Sequence, residues 1–147
     1  MLSEFIDPNR IKLDLESTTK DGVLGELVDI ITGSCSDFDK HELLEAVSSR
    51  ESKMPTIIQP GIAVPHGYCK TVHGIVGAVG FSREGIEFDQ RDKNLVHLFF
   101  ILLMDESSRE LNLKVFTRIL EMLKSTSLNQ ISGMTSSQEL YDLLCRF

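Results

Sequence analysis

The sequence lacks the features that mark several large classes of protein. It has only three cysteines, an odd number with no Cys-x-x-Cys pair, at Cys35, Cys69 and Cys145. This pattern favours reduced thiols in a cytoplasmic protein over a disulfide framework. The longest apolar run, Leu98–Met104, is far too short to cross a bilayer, so we expect no membrane insertion. The first residues also lack the basic and apolar regions of a signal peptide, which again predicts a cytoplasmic location.

An excess of positive charge is also missing. The formal net charge is -7, from 22 acidic and 15 basic residues, which argues against a nucleic-acid binder. No glycine-rich phosphate loop or dinucleotide fingerprint is present, so nucleotide binding is not expected. We predict no cofactor. Any site for an anion must be built locally, because the overall charge does not attract one.

What is present is the composition of an ordinary globular protein. Hydrophobic residues make up 41% of the 147 residues and charged residues 25%. A chain of this length can bury a real core, and we expect residues 1–147 to form one domain.

The hydrophobic patterns predict an α/β fold. Strands are expected at Ile11–Leu15, at Val72–Phe81 and at Leu95–Leu103, and helices are expected to begin near Thr18, Asp39, Ser107 and Ser136, with one more short helix within 125–133. Arg83-Glu84-Gly85 predicts the turn of a hairpin. This order predicts a mixed, mostly parallel sheet with an antiparallel hairpin, and helices packed on both faces.

The chain is organised around the stretch Gly61-Ile62-Ala63-Val64-Pro65-His66-Gly67. Pro65 has a fixed φ and Gly67 permits backbone angles closed to other residues, so we expect the backbone to aim His66 from a loop at the end of a strand. A neutral imidazole is nucleophilic, and backbone N–H groups beside Gly61 and Gly67 could form a concavity that binds anions. The combination suggests a histidine that accepts a phosphoryl group. An ordinary surface histidine in a loop is the alternative.

The same stretch resembles the active-site signature of the enzyme IIA components of the bacterial phosphotransferase system, fructose/mannitol type. In that family an Arg-Glu pair ends the preceding helix, where this chain has Arg50-Glu51. The segment Gly85-Ile86-Glu87-Phe88 and the helix near Asn112-Leu113 also resemble the family, so the resemblance covers almost the whole chain.

The resemblance implies a reaction and its partners. His66 would take a phosphoryl group from the histidine phosphocarrier protein and pass it to a cysteine of a sugar-permease IIB domain, or keep it as a regulatory mark, with a regulated kinase or transporter as the partner. The chain would then be a phosphohistidine phosphotransferase. Arg50 would contact the phosphoryl oxygens through charge-assisted hydrogen bonds, although by position alone it is an ordinary cation at a helix C-terminus.

The sequence departs from the family pattern at two places. Gln59 and Pro60 stand where a small and a polar residue are common, and Asn112 stands where a second histidine is common. An asparagine can donate a hydrogen bond to a phosphoryl oxygen, but it cannot carry a proton or a charge. These departures put the efficiency of transfer in question.

Three functions therefore remain open. The first is a phosphocarrier, and since no permease domain is attached we expect the nitrogen-regulatory branch; a sugar-specific IIA subunit is the alternative. The second is a regulatory protein that acts by contact, with little or no phosphoryl transfer. The third is a metal-binding protein that uses His66, Cys69 and His73, for which a fourth ligand is missing, so we predict no metal. The oligomeric state does not follow from the sequence.

Overall fold

A computed structural model describes residues 1–147, which form one six-stranded mixed sheet. The strands are β1 (Ile11–Lys12), β2 (Ile57–Gln59), β3 (Ile62–Ala63), β4 (His66–Tyr68), β5 (Ile75–Ile86) and β6 (Val96–Met104). The helices are α1 (Lys20–Ser34), α2 (Lys40–Glu51), α3 (Arg109–Ser125), α4 (Leu128–Ser132) and α5 (Ser137–Leu144). Short 3₁₀ turns lie at Leu2–Glu4, Pro8–Arg10 and Glu106–Ser108.

Strand β6 is the centre of the sheet. It pairs antiparallel with β5 along one edge, and its other edge is shared by β3 and β4, both parallel to it. Strand β1 extends the sheet beyond β5 in parallel, and β2 pairs antiparallel with β3. Because both faces and both edges of β6 are covered, its sequence is almost wholly apolar. The predicted α/β class and mixed sheet are confirmed.

The side chains of β6 alternate between two hydrophobic cores, as the period of a strand requires. Leu98, Phe100, Leu102 and Met104 pack on one side with the apolar residues of α3, α4 and α5. Phe99, Ile101 and Leu103 pack on the other side with those of α1 and α2. The helices thus lie on both faces, as predicted.

Helix starts follow local capping chemistry. Asp39 caps α2 and Ser136 caps α5, each by accepting a hydrogen bond from a backbone N–H three residues on. The cap of α1 is Thr19 rather than Thr18, and Gly33 lies inside α1 instead of ending it.

No helix combines the length and the apolar composition needed to cross a membrane.

The boundaries of β1 and β5 differ from the predicted ones in three places. Strand β1 stops at Lys12 rather than Leu15, and β5 begins at Ile75 rather than Val72. The expected hairpin turn at Gly85 is wrong: β5 continues through it to Ile86, with an irregularity in its pairing with β6 between Phe81 and Ile86. Gly85 has a φ of 83°, and a Cβ there would lie 2.7 Å from the Cβ of Leu95. The long antiparallel pair of the sheet is therefore β5 with β6, joined by residues 87–95.

Candidate functional site

His66 is the first residue of β4 and is half-buried. The prediction of a loop was wrong, because His66 pairs in register with Leu102 of β6. Paired residues of neighbouring strands point to the same face, so His66 faces the α3 side of the sheet. There the ring of Phe116 on α3 meets the imidazole edge-on, with ring centroids 5.3 Å apart. The site thus lies where β4 meets α3.

The two nitrogens of the His66 ring are not equivalent. Nδ1 lies 2.9 Å from the carbonyl oxygen of Val64. A carbonyl oxygen can only accept, so in the neutral ring Nδ1 carries the proton and donates it to this contact. Nε2 is left with its lone pair and no hydrogen-bond partner within the chain. The nucleophilic atom of the ring is therefore Nε2.

The surroundings keep the imidazole neutral. Burial lowers the pKa of His66 below its ordinary value of 6.5, and the nearby charge of Arg50 lowers it further. The hydrogen bond to Val64 and the carboxylate of Glu51 oppose this shift. The net effect is a depressed pKa, so the ring is neutral and its Nε2 lone pair is available at neutral pH.

Arg50 lies in the last turn of α2, close enough to His66 for its charge to act on the ring. Its Nη1 donates a hydrogen bond to the carbonyl oxygen of Met54 at 3.0 Å, which anchors the side chain against the turn that follows the helix. No carboxylate lies within ion-pair distance of its guanidinium. The structure thus brings together a neutral histidine and an arginine with unused donors.

Asn112 lies in the first turns of α3, on the face that covers β4. The residues three before and four after it, Arg109 and Phe116, contact Tyr68 and His66 respectively. Asn112 lies between these two contacts on the same helical face. Its Oδ1 is buried and has no hydrogen-bond donor. That Asn112 lies beside His66 stays a prediction, which this placement supports.

The two residues that flank His66 have different roles. Pro65 is buried, and its carbonyl oxygen accepts a hydrogen bond from Leu102 N–H at 2.9 Å, which joins the start of β4 to β6. Gly67 does not use a special backbone angle, since its φ is not positive. A Cβ at Gly67 would lie 2.7 Å from the carbonyl of Ala46 in α2. Gly67 therefore allows α2, and with it Arg50, to approach β4 closely.

Gly61, expected in the phosphoryl loop, lies away from His66. Pro60 and Gly61 form the tight turn between β2 and β3, where the φ of Gly61 is 84°. Ile62 pairs with Leu98 and His66 with Leu102, so the turn and the imidazole are roughly 13 Å apart along β6. Gln59 belongs to β2, so its departure from the family pattern affects this turn rather than the surroundings of His66. The expected row of free amides is also interrupted, because Val64 N–H donates to Thr56 O.

The residues of the zinc alternative do not converge. No group of three His, Cys, Asp or Glu side chains is placed to hold a metal ion. Cys69 is buried in the core on the α1 and α2 side, with its Sγ 3.1 Å from the hydroxyl of Thr71, whereas His66 faces α3. His73 is exposed.

Sequence reasoning missed the residues that orient the site. The carbonyl of Val64 carries no side-chain signal and could not be found from residue types. Phe116 is an apolar residue of α3, and only its spacing of four from Asn112 could have indicated a place beside His66.

Comparison with known structures gives the class of protein that the fold and site define. The crystal structure of the nitrogen regulatory protein IIA-Ntr from Neisseria meningitidis matches with a TM-score of 0.86 and 26% identity, over 97% of this chain and 98% of that one. The enzyme IIA for mannitol from Escherichia coli, in a complex with phosphorylated enzyme IIB, matches with a TM-score of 0.80 and 20% identity, over 95% of this chain and 96% of that one. The second likeness concerns the fold alone. Both show a IIA-type α/β fold.

The family follows from the sequence match. The model of the family "Phosphoenolpyruvate-dependent sugar phosphotransferase system, EIIA 2" matches residues 4–146, and the chain belongs to this family. The fructose-specific EIIABC component of Bacillus subtilis is 27% identical over 97% of this chain. The chain spans 23% of the length of that relative.

Proposed function

We propose that this chain is a phosphocarrier that accepts a phosphoryl group on Nε2 of His66 from the histidine phosphocarrier protein. The observation that carries the proposal is the contact between His66 Nδ1 and the Val64 carbonyl. It holds the proton on Nδ1 and leaves Nε2 as the only nucleophilic atom of a neutral ring. The lone pair of Nε2 attacks the phosphorus of the donor phosphohistidine. The new bond is Nε2–P, the donor N–P bond breaks, and its electron pair stays on the donor imidazole.

Arg50 stabilises the charge of the phosphoryl group in this reaction. Phosphoryl transfer needs positioning and charge stabilisation more than acid–base chemistry. A guanidinium offers up to two parallel hydrogen bonds to phosphoryl oxygens, and Arg50 has donors to spare because only Nη1 is engaged, with Met54 O. Asn112 can add a neutral hydrogen bond from its side-chain amide.

The proposal is tested by incubating the purified chain with phosphorylated carrier protein. We expect one acid-labile phosphoryl group per chain, its loss in His66→Ala, and its retention in the matched control His73→Ala, which removes an exposed histidine. Labelling of His66→Ala to the wild-type level would overturn the assignment.

The role we propose is nitrogen regulation, with a regulated kinase or transporter as the partner. The similarity to the Neisseria regulatory protein, at 26% identity and over 98% of that chain, supports this choice. A sugar-specific IIA that delivers the group to a IIB domain is the second candidate, favoured by the name of the Bacillus relative. Mixing the phosphorylated chain with a fructose-type IIB domain distinguishes them, since only the second predicts rapid transfer to the IIB cysteine. A third candidate, regulation by contact with little or no transfer, rests on Asn112 and predicts little labelling in the experiment above.

A further inference from the structure

The most deeply buried carboxylate of the protein lies next to Arg50. Glu51, the last residue of α2, is 3% exposed, and Thr56 is 6% exposed. These are two of the three buried polar or charged residues in the chain, and they bond to each other. A carboxylate at this depth is costly unless its oxygens are fully engaged.

Glu51 is fully engaged, with three partners. Its Oε1 accepts a hydrogen bond from Thr56 N–H at 3.0 Å, and its Oε2 accepts one from the Thr56 hydroxyl at 2.6 Å. The Nζ of Lys20 in α1 lies 3.3 Å from Oε1 and packs over the ring of Phe88. Lys20, and not the adjacent Arg50, thus neutralises this charge, so the guanidinium of Arg50 stays without a carboxylate partner.

The hydrogen bonds continue from Thr56 to the imidazole. The carbonyl oxygen of Thr56 accepts from Val64 N–H at 2.9 Å, and the carbonyl of Val64 is the partner of His66 Nδ1, also at 2.9 Å. Residues 51 to 66 are therefore tied together by one series of contacts, which begins at the buried carboxylate and ends at the ring.

We propose that Glu51 is a positioning residue for His66: by holding Thr56, it fixes the Val64 carbonyl that sets the tautomer and orientation of the imidazole and directs Nε2 outward. That Glu51 assists phosphoryl transfer rests on the proposed function, whereas the effect of Glu51 on the tautomer of His66 does not. The other charges near the ring are few. Arg50 comes from α2, and Arg109 of α3 lies over Tyr68, while Phe116 and Asn112 carry no charge.

The test is nuclear magnetic resonance of the ¹⁵N-labelled imidazoles in the full chain. In the wild type we expect His66 as one neutral tautomer with the proton on Nδ1. Glu51→Gln keeps the shape but weakens the hold on Thr56, so the population protonated on Nε2 should rise by about tenfold, the effect of one lost hydrogen bond. Thr56→Val should give a smaller shift in the same direction, and Thr56→Ser, which keeps the hydroxyl, should restore the wild-type state.

Glu26→Gln is the matched control. Glu26 also accepts hydrogen bonds from backbone N–H groups and pairs with a lysine, Lys12, but no contact connects it to His66. A merely structural role for Glu51 predicts that both variants lose stability and leave the tautomer unchanged. An unchanged tautomer in folded Glu51→Gln would overturn the proposal. If that variant does not fold, an unchanged tautomer in Thr56→Val would overturn it instead.

Phosphorylation of the same variants separates this proposal from the proposed function. If the wild type accepts phosphoryl groups, Glu51→Gln should slow the rate constant of transfer more than it weakens binding of the carrier protein. If the wild type is not phosphorylated, the phosphocarrier function fails, and the tautomer measurement still decides the role of Glu51.

Discussion

At the scale of single residues, Arg50 is the cation that we propose acts on a phosphoryl group at His66. Arg50→Ala should slow phosphoryl transfer by roughly 100- to 1,000-fold, as expected for a lost donor to a developing anion. Folding should change little, because a cation at a helix C-terminus contributes only about 0.3–1 kcal/mol. The measurement is the rate of labelling under single-turnover conditions. Arg50→Lys keeps the charge but not the planar arrangement of donors, so its labelling rate should lie between those of the wild type and Arg50→Ala. A wild-type rate in Arg50→Ala would make Arg50 a surface residue.

Asn112 is the second residue whose effect on phospho-His66 can be measured by a single substitution. A phosphoryl oxygen cannot satisfy the buried Oδ1 of Asn112, since both atoms only accept, so the amide must present its NH₂ group to phospho-His66. Asn112→His would place a titrating group there, and a second step with an ordinary midpoint near pH ~6.5 should enter the pH profile of phosphoryl loss. Lys114→His, on the exposed side of α3, is the control and should leave the profile unchanged. Coincident curves for Asn112→His and the wild type would place Asn112 away from the phosphoryl group.

At the scale of elements, the site depends on how closely α2 packs against β4. The Cα of Gly67 faces the backbone of α2, and an added Cβ would meet atoms of Ala46 and Val47 at 2.7–2.9 Å. Because these are backbone atoms, relief requires the helix to move, and the helix carries Arg50.

Gly67→Ala should therefore destabilise the protein by about 1–3 kcal/mol, the usual cost of overpacking. It should also slow phosphorylation at temperatures where the variant is fully folded. The free energy of unfolding in urea and the labelling rate are the measurements. Gly33→Ala is the matched control. A Cβ at Gly33, inside α1, would meet open space, so this variant should stabilise the folded protein by up to about 1 kcal/mol. Wild-type stability of Gly67→Ala would contradict the close approach of α2.

At the scale of the whole molecule, stability in acid depends on carboxylates that bond differently in the folded and unfolded chain. Burial, the largest single influence, raises the pKa of Glu26, but hydrogen bonds from Lys12 and from the N–H groups of Glu16 and Ser17 outweigh it and lower the pKa to about 2. The ordinary value is 4.5. The folded pKa is depressed, so Glu26 contributes stability above pH 4.5 and loses it as the pH falls towards 2.

Glu26→Gln should thus lower the free energy of unfolding at pH 7 by roughly 1–3 kcal/mol, the cost of disrupting hydrogen bonds to a charged group. The difference from the wild type should shrink between pH 4.5 and pH 2. Urea unfolding over this range measures it, and Glu121→Gln, at an exposed position of α3, should show no such difference. A constant difference down to pH 2 would show that the charge of Glu26 contributes nothing.

The sequence by itself determined the features that depend on neighbouring residues. The caps at Asp39 and Ser136 are local, since each side chain bonds a backbone N–H three residues on, and both were predicted correctly. Strand β6 was predicted from its continuous apolar run, within one residue at each end. The family was evident from the short stretch around Pro65-His66-Gly67 and the Arg50-Glu51 pair, and the family match confirms it.

Only the tertiary structure decided the features that depend on distant residues. Gly85 has the composition of a turn, but pairing with β6 carries β5 through it, so the local signal gave the wrong result. Gly67 is required by a helix twenty residues earlier rather than by its own φ, and Lys20 rather than Arg50 neutralises Glu51. The direction of the His66 ring depends on the backbone carbonyl of Val64, a group that every residue possesses and that no pattern of side chains can distinguish. Such contacts arise from packing between elements, which local sequence does not specify.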